Sequence, residues 1–122
     1  MNEITDLGSL RDALHAFCAE RDWPRYHTPK NLVMALIVEA AELVEQFQWL
    51  TPEESRSLSA GQRAAVTDEI ADVLIYLTEL ADVLQIDMLA AARQKIVKNA
   101  LKYPAGDQAV RQQNSQGDTG QA

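Results

Sequence analysis

Apolar residues recur at helical spacing over four stretches of the chain. Leu7, Leu10, Leu14, Phe17 and Cys18 fall three and four apart, which predicts a helix over about residues 6–21. The next segment, Asp22-Trp23-Pro24-Arg25-Tyr26-His27, breaks the period and reads as a loop. Thr28-Pro29 then gives a hydroxyl N-cap followed by proline at the first helical position. With the stripe Leu32, Leu36, Leu43 and Phe47, it predicts a helix over 29–49. Thr51-Pro52-Glu53-Glu54 repeats the start signal, with Glu54 placed to complete a capping box, and opens a short helix or turn ending near Leu58. Ser59, followed by Gln62 three residues on, starts a helix over 60–85 with the stripe Val66, Ile70, Val73, Leu77, Leu80 and Leu84. Asp87 starts a last one over 88–102, through Leu89, Ile96, Val97 and Leu101, and Pro104 stops it.

Nothing reads as a strand, so the expected fold is all-α, a four-helix-bundle type. The chain has 122 residues, 47% hydrophobic and only 6% aromatic, enough for one domain over 1–104 whose Ala and Leu content favours helices. From Ala105 the sequence is mostly Gln, Asp, Gly and Ser, too polar to bury itself, so 105–122 is expected to be a disordered tail. A domain this small buries little of its surface alone, and a second subunit is expected to complete the bundle. The net charge of −7 opposes nucleic-acid polymers and anionic membranes. It leaves room for a phosphate ligand that brings its own cations. Cys18 is the single cysteine and reads as core, with no internal disulfide, as suits a reducing cytoplasm. No basic segment leads an apolar run and no long uncharged apolar stretch occurs, so neither a signal peptide nor a membrane span is expected.

Four acids change this picture. Glu39 and Glu42 are three apart on the second helix, and Glu69 and Asp72 three apart on the third long one, so each pair shares a helix face. Glu39 falls inside the stripe of Leu32, Leu36 and Leu43, Glu42 falls on its flank, and Glu69, Asp72 and Tyr76 line the flank of the partner stripe. Carboxylates carried into a packing seam are costly unless something neutralises them. A hard divalent cation with oxygen ligands does so, and Mg²⁺ suits a site completed by phosphates. The competing reading is surface acids on an acidic protein. A di-iron centre would want Glu-x-x-His motifs, and neither His15 nor His27 follows a Glu by three.

The last helix concentrates cations: Arg93, Lys95, Lys98 and Lys102, with Asn99 and then Tyr103. Lys95, Asn99 and Lys102 share a face, suited to phosphate oxygens or a sugar hydroxyl, or to the helix C-terminus itself. Trp23 and Trp49, the only tryptophans, are placed either to stack on a nucleobase or to cap the core. His27 and Lys30 lie near Trp23 in sequence as further polar contacts, and His15 reads as surface.

Taken in order, FCAERDW (Phe17–Trp23), HTPKNL (His27–Leu32), EAAELVEQFQW (Glu39–Trp49), DEIADVLIYL (Asp68–Leu77) and KIVKNALKYP (Lys95–Pro104) resemble the MazG-like, all-α nucleoside triphosphate pyrophosphohydrolases, and within them the dCTP pyrophosphatase branch. The resemblance covers about residues 7–104. It implies that Glu39, Glu42, Glu69 and Asp72 bind Mg²⁺, with Mn²⁺ as a substitute. It implies that Lys95, Asn99 and Tyr103 contact the triphosphate and sugar, that Tyr76 is on the sugar side, and that Trp23 and Trp49 sandwich a cytosine ring from two subunits of a homotetramer, a dimer of dimers. A histidine near the branch's base pocket aligns with Leu14, with His15 one position away, which leaves the base preference open. Ala40 and Ala41 stand where the branch often has Gly, a harmless change in a helix.

The implied reaction is cation-assisted hydrolysis of a nucleoside triphosphate, dCTP or a 5-modified dCTP, to the monophosphate and pyrophosphate. Glu42, or next Glu39, accepts the proton of the attacking water, and Lys95 stabilises phosphate charge. The alternatives are the same fold acting on dUTP or another non-standard dNTP, and a non-catalytic helical module whose acids hold a structural ion.

Overall fold

The computed structural model describes residues 3–106, which divide into two compact units, one through Ile86 and one from Asp87. Among the described residues there are helices and turns and no strand.

In the first unit, α1 spans Leu7–Glu20. Asp6 starts it with a reciprocal cap: its carboxylate accepts the Ser9 N–H at 2.7 Å, and Ser9 Oγ accepts the Asp6 N–H at 3.0 Å. The Ser9 bonds hold the Asp6 carboxyl below its ordinary value. At the other end Asp22 takes a left-handed φ of 56°. Its N–H bonds Ala19 O, and the Trp23 N–H bonds Cys18 O at 3.1 Å, a Schellman closure. The segment expected as a plain loop then winds through one 3₁₀ turn, Pro24–Tyr26, because Pro24 presets the φ of its first residue.

α2 spans Pro29–Glu45, with Thr28 Oγ1 accepting the Asn31 N–H at 3.2 Å. It stops four residues before the expected end at 49. Thr51 precedes Pro52 and sits extended at φ −72°, ψ 161°, as a residue before proline must, so the chain has to leave the helix beforehand. It does so through successive turns, Phe47 N–H to Val44 O and Leu50 N–H to Phe47 O. The next helix, α3, is the single turn Pro52–Ser55, closed by the Thr51–Glu54 capping box and shorter than the expected run to Leu58.

α4 spans Ala60–Val83, opened by the expected Ser59–Gln62 box. It ends two residues before the expected 85 in a second Schellman closure. Gln85 takes φ 56°, its N–H bonds Asp82 O, and the Ile86 N–H bonds Ala81 O at 2.8 Å. α2 packs along α4, and α1 packs against it too, so α4 is the spine of the unit. The apolar core is thin: Cys18, Leu32, Val66 and Ala81, with Leu32 only 1% exposed. Thr78 is buried with them and satisfies its hydroxyl on Leu74 O at 2.7 Å. Several stripe residues expected inside, among them Ile70, Leu77 and Leu84, are exposed, as are Met34, Ile37, Val38 and Val44 on α2.

In the second unit, α5 spans Met88–Lys102 as expected, with the Asp87 carboxylate accepting the Ala90 N–H at 3.0 Å. Its apolar residues Leu89, Ile96, Val97 and Leu101 are exposed. From residue 107 the expected polar tail lies outside the described residues.

Candidate metal centre

The pairing of α2 with α4 brings the two acidic motifs to one place. Glu39 on α2 and Glu69 and Asp72 on α4 are half-buried, and one carboxylate oxygen from each lies within 4.8 Å of the others. Glu42, one turn after Glu39, stands outside that trio of oxygens, but its carboxyl is close enough for its charge to raise both Glu39 and Glu69. Of the four acids singled out by spacing, Glu39, Glu69 and Asp72 thus converge, with Glu42 within electrostatic reach of them.

Their electrostatics are strained. Glu39 Oε2 and Glu69 Oε2 are buried with no hydrogen-bond partner. Burial pushes the Glu39 carboxyl up to about 7, and the carboxyls of Glu42, Asp72 and Glu69 push the same way. Glu69 is raised mainly by burial and then by the charge of Glu42. Among the described residues no Lys or Arg forms an ion pair with any of the four. Surface acids on a soluble helix would not be left this way, because water would satisfy them. An all-oxygen, half-buried, uncompensated donor set with orphaned lone pairs fits a hard divalent cation. Tyr76, one turn beyond Asp72, is half-buried beside the group. Its hydroxyl is raised by burial and then by Glu39, Glu79 and Asp72.

The other expected site residues are distributed as follows. Trp23 precedes the 3₁₀ turn and packs edge-on to Phe17 at 5.6 Å between ring centroids, with the His27 ring 6.3 Å away. Trp49 lies in the turns after α2, not at its end, and is 86% exposed, so it caps no core among the described residues. Lys30 is exposed in the first turn of α2. In the second unit Lys95, Asn99 and Lys102 are all exposed on α5. Tyr103 ends that helix, its N–H on Asn99 O at 2.7 Å and Lys102 Nζ 5.3 Å from its ring centre.

Sequence reasoning missed a second polar cluster. A cleft of about 340 Å³ opens between α1 and α4, its walls including His15, Cys18, His27, Glu79 and Asp82. His15, expected as plain surface, pairs with Asp82. Cys18 is buried as expected, yet it is not inert filling: its thiol donates to Glu79 Oε1 at 3.2 Å. Burial, reinforced by Glu79, pushes that thiol up to about 11. The available signal was a pair of three-residue spacings, His15 to Cys18 and Glu79 to Asp82, which face each other once the helices run antiparallel.

Comparison with known proteins agrees with this architecture. The MazG-like family pattern matches residues 34–117. Human dCTP pyrophosphatase 1 is 46% identical over 95 residues, covering 75% of this chain and 56% of that protein. The mouse protein of the same name is 44% identical over 94 residues, covering 75% and 55%. The chain thus spans little more than half the length of these relatives. The crystal structure of a pyrophosphatase from Archaeoglobus fulgidus superposes with a TM-score of 0.78 at 40% identity, covering 86% of this chain and 98% of that one. With the family pattern over most of the chain and a solved relative matched along nearly its whole length, this chain belongs to the MazG-like family.

Proposed function

We propose that the chain hydrolyses a nucleoside triphosphate, dCTP or a 5-modified dCTP, to the monophosphate and pyrophosphate, in the service of clearing the cytoplasmic nucleotide pool. The observation that carries the reading is the carboxylate group of Glu39, Glu69 and Asp72 with its buried, unpartnered oxygens. The names of its relatives, dCTP pyrophosphatase and pyrophosphatase, point the same way.

Glu39, Glu42, Glu69 and Asp72 would hold Mg²⁺, or Mn²⁺ in its place, which when bound neutralises phosphate charge and acidifies a water. Glu42, with Glu39 as the second choice, accepts the proton of the attacking water. The water oxygen bonds to the α-phosphorus, the bond from that phosphorus to the α,β-bridging oxygen breaks, and pyrophosphate leaves. Trp49, which is largely exposed, and Trp23 are assigned to the base, with His27 and Lys30 as polar contacts and Tyr76 on the sugar side. On the family resemblance and their shared face, Lys95, Asn99 and Lys102, with Tyr103, are assigned to the phosphates and sugar.

The exposed apolar residues of α2, Met34, Ile37, Val38 and Val44, support a homo-oligomer, a dimer or a dimer of dimers, since a thin core leaves much to gain from association. The test is incubation of the purified chain with each common dNTP, dUTP and 5-modified dCTP in the presence of Mg²⁺, scoring pyrophosphate. The expected result is release from dCTP or its 5-modified form above all others. Release from none of them would overturn the reading, and preference for dUTP would move the substrate while keeping the reaction.

A further inference from the structure

The cleft between α1 and α4 carries a donor set of a different character from the acidic centre. Two facing pairs build it. His15 meets Asp82, and three residues along α1 and three back along α4, Cys18 meets Glu79. His27, which follows the 3₁₀ turn, brings its ring to the same point. One atom from each of Cys18 (sulfur), His27 (ring nitrogen) and Glu79 (carboxylate oxygen) lies within 4.8 Å of the others. Cys18 is 5% exposed and the other two are half-buried, so the donors sit at the base of an open cleft and not on free surface.

We propose that Cys18, His27 and Glu79 form a second metal site, one for a borderline transition-metal ion of the Zn²⁺ type and distinct from the all-oxygen centre, at which His27 serves either the ion or the base but not both at once. Sulfur, imidazole and carboxylate are the ligand types that zinc takes, and three protein ligands beside an open cavity leave a fourth position for water. Mg²⁺ is a poor occupant, since it wants oxygen ligands in an octahedron and has little affinity for a thiolate. The two centres therefore sort cations by softness: carboxylates for Mg²⁺, the mixed set for Zn²⁺. On binding, the Cys18 S–H bond breaks, its proton goes to solvent and the sulfur lone pair bonds the ion, with no change of oxidation state. Glu79, which accepts that proton's hydrogen bond without the metal, is freed by the same event to ligate. The His15–Asp82 pair flanks the site without entering it.

The test uses the full chain with saturating Mg²⁺ and no nucleotide, so its failure leaves the hydrolytic reading intact. Co²⁺ is titrated as the spectroscopic probe, and Zn²⁺ is used to displace it. The expected result is one Co²⁺ per chain with a thiolate-to-cobalt charge-transfer band and tetrahedral visible bands, both removed by Zn²⁺. Cys18→Ala should abolish the charge-transfer band. His27→Gln and Glu79→Gln, which alter only half-buried polar positions, should weaken Co²⁺ binding by at least the roughly 10–100-fold seen when a supporting group is lost from a metal site. Glu39→Gln should leave the band in place. A wild-type titration without the band, the same band in Cys18→Ala, or a band lost only in Glu39→Gln would overturn the proposal.

Discussion

At the scale of single residues, the acidic centre makes sharp demands. Glu42→Gln and Asp72→Asn keep shape and volume while removing a charge, so both should fold with unchanged circular dichroism and lose at least about 10²-fold in kcat. Near-wild-type turnover in either variant, measured as Mg²⁺-dependent pyrophosphate release, would contradict the assignment. Glu39 adds a pH dependence. Its carboxyl is raised from 4.5 to about 7 in the folded chain, so between those values the folded state holds more protons than the unfolded one. Its contribution to stability is fully present below the lower value and is lost as pH rises through the upper one. A bound cation favours the ionised form and offsets that loss. The rise in Tm on adding Mg²⁺ should accordingly be larger at about pH 8 than at about pH 5. An equal or inverted rise would count against it. Trp49, exposed and packed in no core among the described residues, predicts a different split: Trp49→Ala should raise KM for the preferred triphosphate more than it lowers kcat.

At the scale of elements, helix starts were the most legible feature. Thr28, Thr51, Ser59 and Asp87 each cap the helix the sequence assigned to them, because a cap is made by residues within three positions of one another. Helix ends were less so. α2 closes through turns with no glycine to announce them, and both Schellman closures place a non-glycine residue, Asp22 and Gln85, at the left-handed position. Gln85 has the weaker local reason to be there. Gln85→Gly should raise stability by about 1 kcal/mol in urea unfolding, with the lost Gln85 bond to Asp82 O the counterweight. A fall in stability would show that the side-chain bond outweighs the backbone strain. The acidic centre was legible because both motifs are local and α2 and α4 were bound to pack. The Cys18–Glu79 and His15–Asp82 contacts were not, since they depend on the register between α1 and α4, which no residue within either helix announces.

At the scale of the whole molecule, thinness of the core is the governing fact. With four buried apolar residues among the described residues of the first unit, and Leu32 alone fully buried, each matters. Leu32→Ala should cost about 2–5 kcal/mol and bring the chain close to unfolding at physiological temperature, as thermal melts would report. The apolar surface left on α2 predicts that Ile37→Glu, at a position 65% exposed in the single chain, shifts the sedimenting species toward monomer. Sedimentation as a monomer by the wild-type chain would remove the oligomer from the account.

The central claim is that α2 and α4 hold their acids around a cation. Electron paramagnetic resonance of Mn²⁺ tests it most directly, because free and bound Mn²⁺ give different spectra and no nucleotide is needed. The wild-type chain should bind Mn²⁺, release it to Mg²⁺, and lose binding in the Glu39→Gln, Glu69→Gln double variant, whose circular dichroism stays that of the wild type. Equal Mn²⁺ binding by the folded double variant, or none by the wild type, would contradict the claim.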